Sequence, residues 1–135
     1  MSLKKVILSA FILLMFGTIL ELYLLNHYED VLQLIPIFCI GLVIVMVIIL
    51  VFLRTKLVKG IFKLLLIVSA LSGIYGVFLH LRANYEFELE MKPTANDWDL
   101  FFESLSGALP ALAPFSMVVL ALIGYSYLIL INQKQ

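Results

Sequence analysis

The sequence predicts an all-α fold: a polytopic membrane protein built as an antiparallel bundle of four transmembrane helices with a short outer interfacial helix. Three observations carry this expectation. The chain of 135 residues is 64% hydrophobic and only 13% charged, whereas soluble domains carry roughly 45–50% apolar and about 25% charged residues. Four apolar runs, at 6–25, 31–53, 61–81 and 108–131, match the ~20 residues that a bilayer crossing requires. The nine basic and nine acidic residues cancel to zero net charge, yet they fall on opposite sides once the four runs alternate in direction. The length suits a single membrane domain, 1–135.

The first run follows Lys4 and Lys5, as a secretory leader would. It is long for a leader core, however, and continues into Glu-Leu-Tyr-Leu-Leu-Asn-His without the small residues a signal peptidase needs. A retained helix is the expectation. The second run contains no charged residue, and Asp30 followed by Gln33 has capping-box spacing for its start. Pro36 lies near enough to that start to be tolerated, and Cys39, the single cysteine, reads as a small packed hydrophobe. The third run begins after Gly60, with Lys63 placed to snorkel towards the headgroups and His80 near its far end. The fourth is uncharged and places Pro110 and Pro114 in its first turns, where missing N–H groups cost little. Short connections make neighbouring helices antiparallel.

Orientation follows from charge. Lys4, Lys5, Arg54, Lys56, Lys59, Lys63 and Lys134 share one side with no carboxylate among them. The other side receives Arg82 and Lys92 against Glu29, Asp30, Glu86, Glu88, Glu90, Asp97, Asp99 and Glu103. Basic loops stay in the cytoplasm, so both termini are expected there, in a bacterial cytoplasmic (inner) membrane. The outer segment 82–107 opens with alternating apolar and acidic residues over 85–91, a pattern that fits either a half-buried strand or an extension of the third helix. Asn96 then caps a short helix from Asp97 to Leu105, whose Trp98, Phe101 and Phe102 form an aromatic stripe suited to anchoring at headgroups.

Ionisable groups inside a membrane are costly, and each is a functional candidate. Glu21 lies inside the first run, near its outer end. It shares a helix side with Ala10, Gly17, Leu24 and Tyr28; small residues mark close helix contacts, so Glu21 is expected to face the bundle. Ser69, Gly73, Gly76 and His80 share one face of the third helix, which places His80 at the end of a small-residue seam. An outer cluster of Glu21, Tyr28, His80, Arg82 and Glu86 follows, with His80 expected within reach of Glu21, Tyr28 or Glu86. Three readings apply to it: a bond network that pins the bundle, a contact surface for a partner or lipid, or a site for a cation. For a divalent metal the candidate ligands are His27, Glu29, Asp30, His80 and Glu21, since imidazole and carboxylate suit zinc and its neighbours. No His-x-x-x-His or His-x-x-x-Glu spacing accompanies them, and no cofactor is otherwise expected.

Absent patterns narrow the function. The sequence has no phosphate-binding glycine loop, nucleophile triad or paired-cysteine motif, no basic domain for nucleic acid, and no internal repeat of the transporter kind. An enzyme is not expected. Three segments, 27–36, 80–88 and 107–114 (HYEDVLQLIP, HLRANYEFE and GALPALAP), resemble a family of small uncharacterised four-span bacterial membrane proteins. The resemblance implies bacterial origin and four helices, and no activity. The expected role is a non-catalytic subunit or accessory protein, partnered by the bilayer and by another membrane protein or a second copy. The alternative is an outward-facing site for a divalent cation or small polar ligand.

Overall fold

The computed structural model describes residues 2–133. It contains helices α1 (Leu3–Leu24), α2 (Val31–Phe52), α3 (Lys56–Met91), α4 (Asp97–Leu105) and α5 (Ser116–Asn132), with a 3-10 turn at Ala113–Phe115 leading into α5. Four helices are long and apolar enough to cross a membrane: α1, α2, α3 and the continuous Ala113–Asn132 stretch. A multi-pass membrane protein is the class that this architecture defines.

Local chemistry sets most helix ends. The Asp30 side chain caps α2, and the Gln33 amide oxygen accepts from the Glu29 and Asp30 N–H groups at 2.9 and 3.2 Å, which completes the capping box. Thr55 caps α3 through a 3.2 Å bond from the Val58 N–H. The Asn96 carboxamide oxygen caps α4, accepting from the Asp99 N–H at 3.0 Å.

Two expectations about chain path resolve differently. Residues 85–91 are helical, since α3 continues without a break to Met91. A lone strand there would have no partner, whereas the helix pairs Arg82 with Glu86 at 2.7 Å and brings Lys92 within 3.7 Å of Glu88, both at i,i+4 spacing. Conversely, regular α-helix in the fourth span begins only at Ser116 rather than at residue 108. Pro110 and Pro114 lack the N–H groups needed for a ladder, so Pro110 lies outside the helix and Pro114 sits in the 3-10 turn.

Helix α3 is central: α2, α4, α5 and the 3-10 turn all pack on it. Helix α1 packs mainly on α5 and only lightly on α2. The apolar core gathers Phe11 and Met15 of α1, Val43, Val47 and Leu50 of α2, Phe62 and Leu66 of α3, and Leu120, Tyr127 and Leu128 of α5. Phe11 meets Phe62 edge-to-face at 6.2 Å, and both Phe11 and Leu66 press on Gly124, where an added Cβ would lie 2.6–2.7 Å from their side chains. Many other large apolar side chains, Leu13, Phe38, Phe52 and Leu57 among them, remain exposed around the bundle, as a lipid-facing surface requires.

The seam of small residues on α3 is occupied, but by the segment before α5 rather than by α1. A Cβ at Gly73 would stand 2.7 Å from the Pro114 carbonyl and 2.8 Å from Met117 Cβ; one at Gly76 would stand 2.7 Å from Pro114 Cβ. Gly17, in contrast, has nothing within 4 Å of that position. Gly73→Ala is therefore expected to lower stability by about 1–3 kcal/mol through overpacking. Gly17→Ala is expected to be neutral, or to gain up to about 1 kcal/mol of helix propensity. Thermal melts followed by circular dichroism check the pair; equal melting temperatures would contradict a tight Gly73–Pro114 contact.

Candidate functional site

Where α1 and α2 touch only lightly, the bundle holds a cavity of about 550 Å³. Its walls come from the last turns of α1 (Thr18 to Leu25), the first turns of α2, the Ser72–His80 face of α3, and the 108–117 segment. The lining is mostly apolar, with Leu22, Ile35, Leu79 and the buried Met117 among it, while Glu21, His27, Asp30, Gln33 and His80 supply polar groups.

One buried amide positions the wall formed by 104–110. Asn84 of α3 is only 2% exposed. Its Nδ2 donates to the carbonyls of Ser104 (2.9 Å) and Leu109 (2.7 Å), and its Oδ1 accepts from the Leu109 N–H (2.9 Å). Gly107 lies directly on this side chain, since a Cβ there would approach Asn84 Cγ to 2.5 Å. The strap so formed presents the Pro110 carbonyl to His80 Nδ1 at 3.1 Å. A carbonyl only accepts, so Nδ1 carries the proton and, in the neutral ring, Nε2 is left as an acceptor.

His27 reaches the same place through the turn between α1 and α2. Asn26 adopts a left-handed conformation (φ 53°), which asparagine tolerates better than other side-chain-bearing residues. The His27 N–H then closes on the Leu22 carbonyl at 2.8 Å. The two imidazoles lie 6.2 Å apart, ring to ring, with a 66° interplanar angle. Burial, reinforced by the neighbouring His80, holds the His27 pKa below its ordinary 6.5.

Four of the residues singled out from sequence therefore line one cavity: Glu21, His27, Asp30 and His80. The others do not join them. Glu29 is exposed and outside the lining. Tyr28 donates to Asn26 Oδ1 at 2.9 Å and stacks on Tyr23. Arg82 and Glu86 form an exposed ion pair and are not among the lining residues. Trp98, Phe101 and Phe102 are exposed and contact one another edge-to-face. The acidic side of α4 faces α3 in part, with Lys92 2.7 Å from Glu103 and the Tyr85 hydroxyl donating to Asp97 at 3.1 Å.

Glu21 is exposed on α1 with Gly17 and Leu24, outside the apolar core, and lines the cavity that α1 shares with α2 and α3. The buried face of α1 is Phe11, Met15 and Thr18, because the small residue that admits close packing there is Gly124 of α5 and α1 supplies the bulk. One expected contact is corrected. His80 is half-buried, but the hydrogen-bond partner of its ring is the Pro110 carbonyl rather than Glu21, Tyr28 or Glu86. Among the described residues, no group of three or more His, Cys, Asp or Glu side chains is placed to hold a metal ion.

Sequence reasoning missed Asn84, Gly107 and the Pro110 carbonyl. The available signal was spacing: Asn84 lies four residues after His80, the only uncharged amide on that part of α3. Comparison with protein-family models, with curated proteins and with solved structures returned no match.

Because the His27 pKa is lowered on folding, the folded state binds fewer protons than the unfolded chain between the two pKa values. The His27 contribution is thus fully present above pH 6.5 and lost as pH falls through the lowered value. His80, Glu21 and Asp30 share the cavity wall with it. Thermal melts between pH 7.5 and 5 are expected to show falling stability on the acid side, and His27→Gln should reduce that fall. An unchanged acid limb in the variant would show that His27 titrates as a solvated residue.

Proposed function

We propose that this chain is a non-catalytic accessory protein of the bacterial cytoplasmic membrane that holds a small molecule in a cavity open to the outer side. The observation that carries this reading is the cavity of about 550 Å³, within the roughly 300–1,000 Å³ range of small-molecule sites. Its mostly apolar lining and few polar groups suit a ligand with an apolar body and a polar end. A small molecule is preferred to a divalent ion because, among the described residues, fewer than three ligating side chains converge. The segregation of basic residues supports cytoplasmic termini and an antiparallel bundle. The exposed Trp98, Phe101 and Phe102 support an interfacial placement of α4 on the headgroups.

Association with a second membrane protein or another copy is the second reading. Gly17 favours it, since this exposed position on α1 has open space above it that a neighbouring helix can fill. A stoichiometric partner retained in mild detergent is the expected sign.

Cysteine accessibility tests topology and cavity together. In a Cys39→Ala background, Asn96→Cys and Ala113→Cys should react with a small impermeant methanethiosulfonate added to intact cells, and Lys56→Cys should not. Ala113 belongs to the cavity wall, so its reaction reports an open, water-filled entrance. Reaction at Lys56→Cys would reverse the topology. Reaction at Asn96→Cys with none at Ala113→Cys would close the cavity and remove the binding reading.

A further inference from the structure

We infer that the cavity takes a lipophilic monocation, an ammonium or phosphonium centre carried on an apolar body. This rests on reading the cavity as a ligand site and adds the sign of the ligand's charge.

The charge balance of the wall is one-sided. Glu21 and Asp30 line the cavity, and no Lys or Arg does so among the described residues. The ion pairs among the described residues, Arg82–Glu86, Lys92–Glu88 and Lys92–Glu103, involve neither carboxylate. Asp30 is already fixed by capping α2, its Oδ1 accepting from the Val31 N–H at 2.6 Å. Among the described residues Glu21 has no hydrogen-bond partner of that kind, and it lines the cavity where a ligand would meet it. A proton on His27, which would add positive charge to the wall, is disfavoured by burial and by the neighbouring His80.

Other features of the wall favour the same ligand. Tyr75 adds an aromatic ring to the wall, and ring faces attract cations. The apolar lining rewards an apolar body through burial, while partial exclusion of water strengthens the attraction between a cationic head and the carboxylates. A small hydrated divalent ion would lack a third ligand, an anion would be repelled, and a neutral chain would leave both carboxylates unused.

Tetraphenylphosphonium and tetraphenylborate, ions of one shape and opposite charge, test this. The readout is protection of the Ala113→Cys protein (Cys39→Ala background) from an impermeant methanethiosulfonate, normalised to Asn96→Cys in the same membranes. The phosphonium is expected to protect at a concentration about tenfold lower than the borate. Glu21→Gln combined with Asp30→Asn should abolish that preference; asparagine retains the cap on α2. Glu21→Gln alone, at an exposed position without a bond to lose, should reduce it and serves if the double variant does not assemble. Equal protection by the two ions, or a preference that survives loss of the carboxylates, would overturn the cation inference while leaving an accessible cavity. An Ala113→Cys protein that does not react at all would instead remove the cavity reading beneath it.

Discussion

The Asn84 carboxamide is the constraint on which the cavity end of the molecule depends. It is buried in α3 and uses both ends: its nitrogen bonds two carbonyls and its oxygen bonds one N–H of the 104–109 strap. An unsatisfied buried polar group costs about 1–3 kcal/mol, so strap and amide stabilise one another's presence in the interior. Everything downstream is aligned by that fixed point. The Pro110 carbonyl reaches His80, Pro114 drops into the Gly73/Gly76 seam, and α5 begins at Ser116.

The molecule divides its packing between two chemistries. Around Phe11, Phe62, Leu66 and Tyr127 the helices interlock through large side chains against one glycine, Gly124. Around Gly73 and Gly76 the contacts are chiefly Pro114 and Met117 against glycine, and Gly107 lies on the Asn84 side chain. Such contacts allow close approach with little side-chain volume to fill what lies beside them. With α1 touching α2 lightly, room for the cavity of about 550 Å³ is left at that end. The cavity is thus a consequence of which end received the bulky residues.

Much of the architecture was legible because the signals were strong and local. Long apolar runs located four helices, and Asp30/Gln33 and Asn96 announced the starts of α2 and α4 through capping chemistry. The small-residue face of α3 was readable as a packing seam, whereas its occupant was not, because sequence gives spacing along one helix and no distance between two. Gly17 misled for the same reason. A glycine near a carboxylate suggests a helix contact, but Gly17 meets open space and the bulk of α1 lies on another face. The site was partly legible. His27, His80, Glu21 and Asp30 were recognisable as polar groups out of place, while the strap that joins them depends on a single amide and on the carbonyls of Leu109 and Pro110, which no side-chain pattern reports.

The late start of α5 bears on solvation. Its 17 residues extend about 26 Å at 1.5 Å per residue, less than the ~30 Å thickness of a typical hydrocarbon layer. The three residues of the 3-10 turn, Ala113–Phe115, add about 6 Å at ~2.0 Å per residue, so a crossing uses the turn as well as α5 and brings the preceding chain to the layer's edge. Irregular backbone persists within the layer only when buried in protein or bordering a hydrated space. Asn84 and His80 satisfy Leu109 and Pro110. The chain leading into α5 is thus held by side chains of α3 in place of a helical ladder of its own.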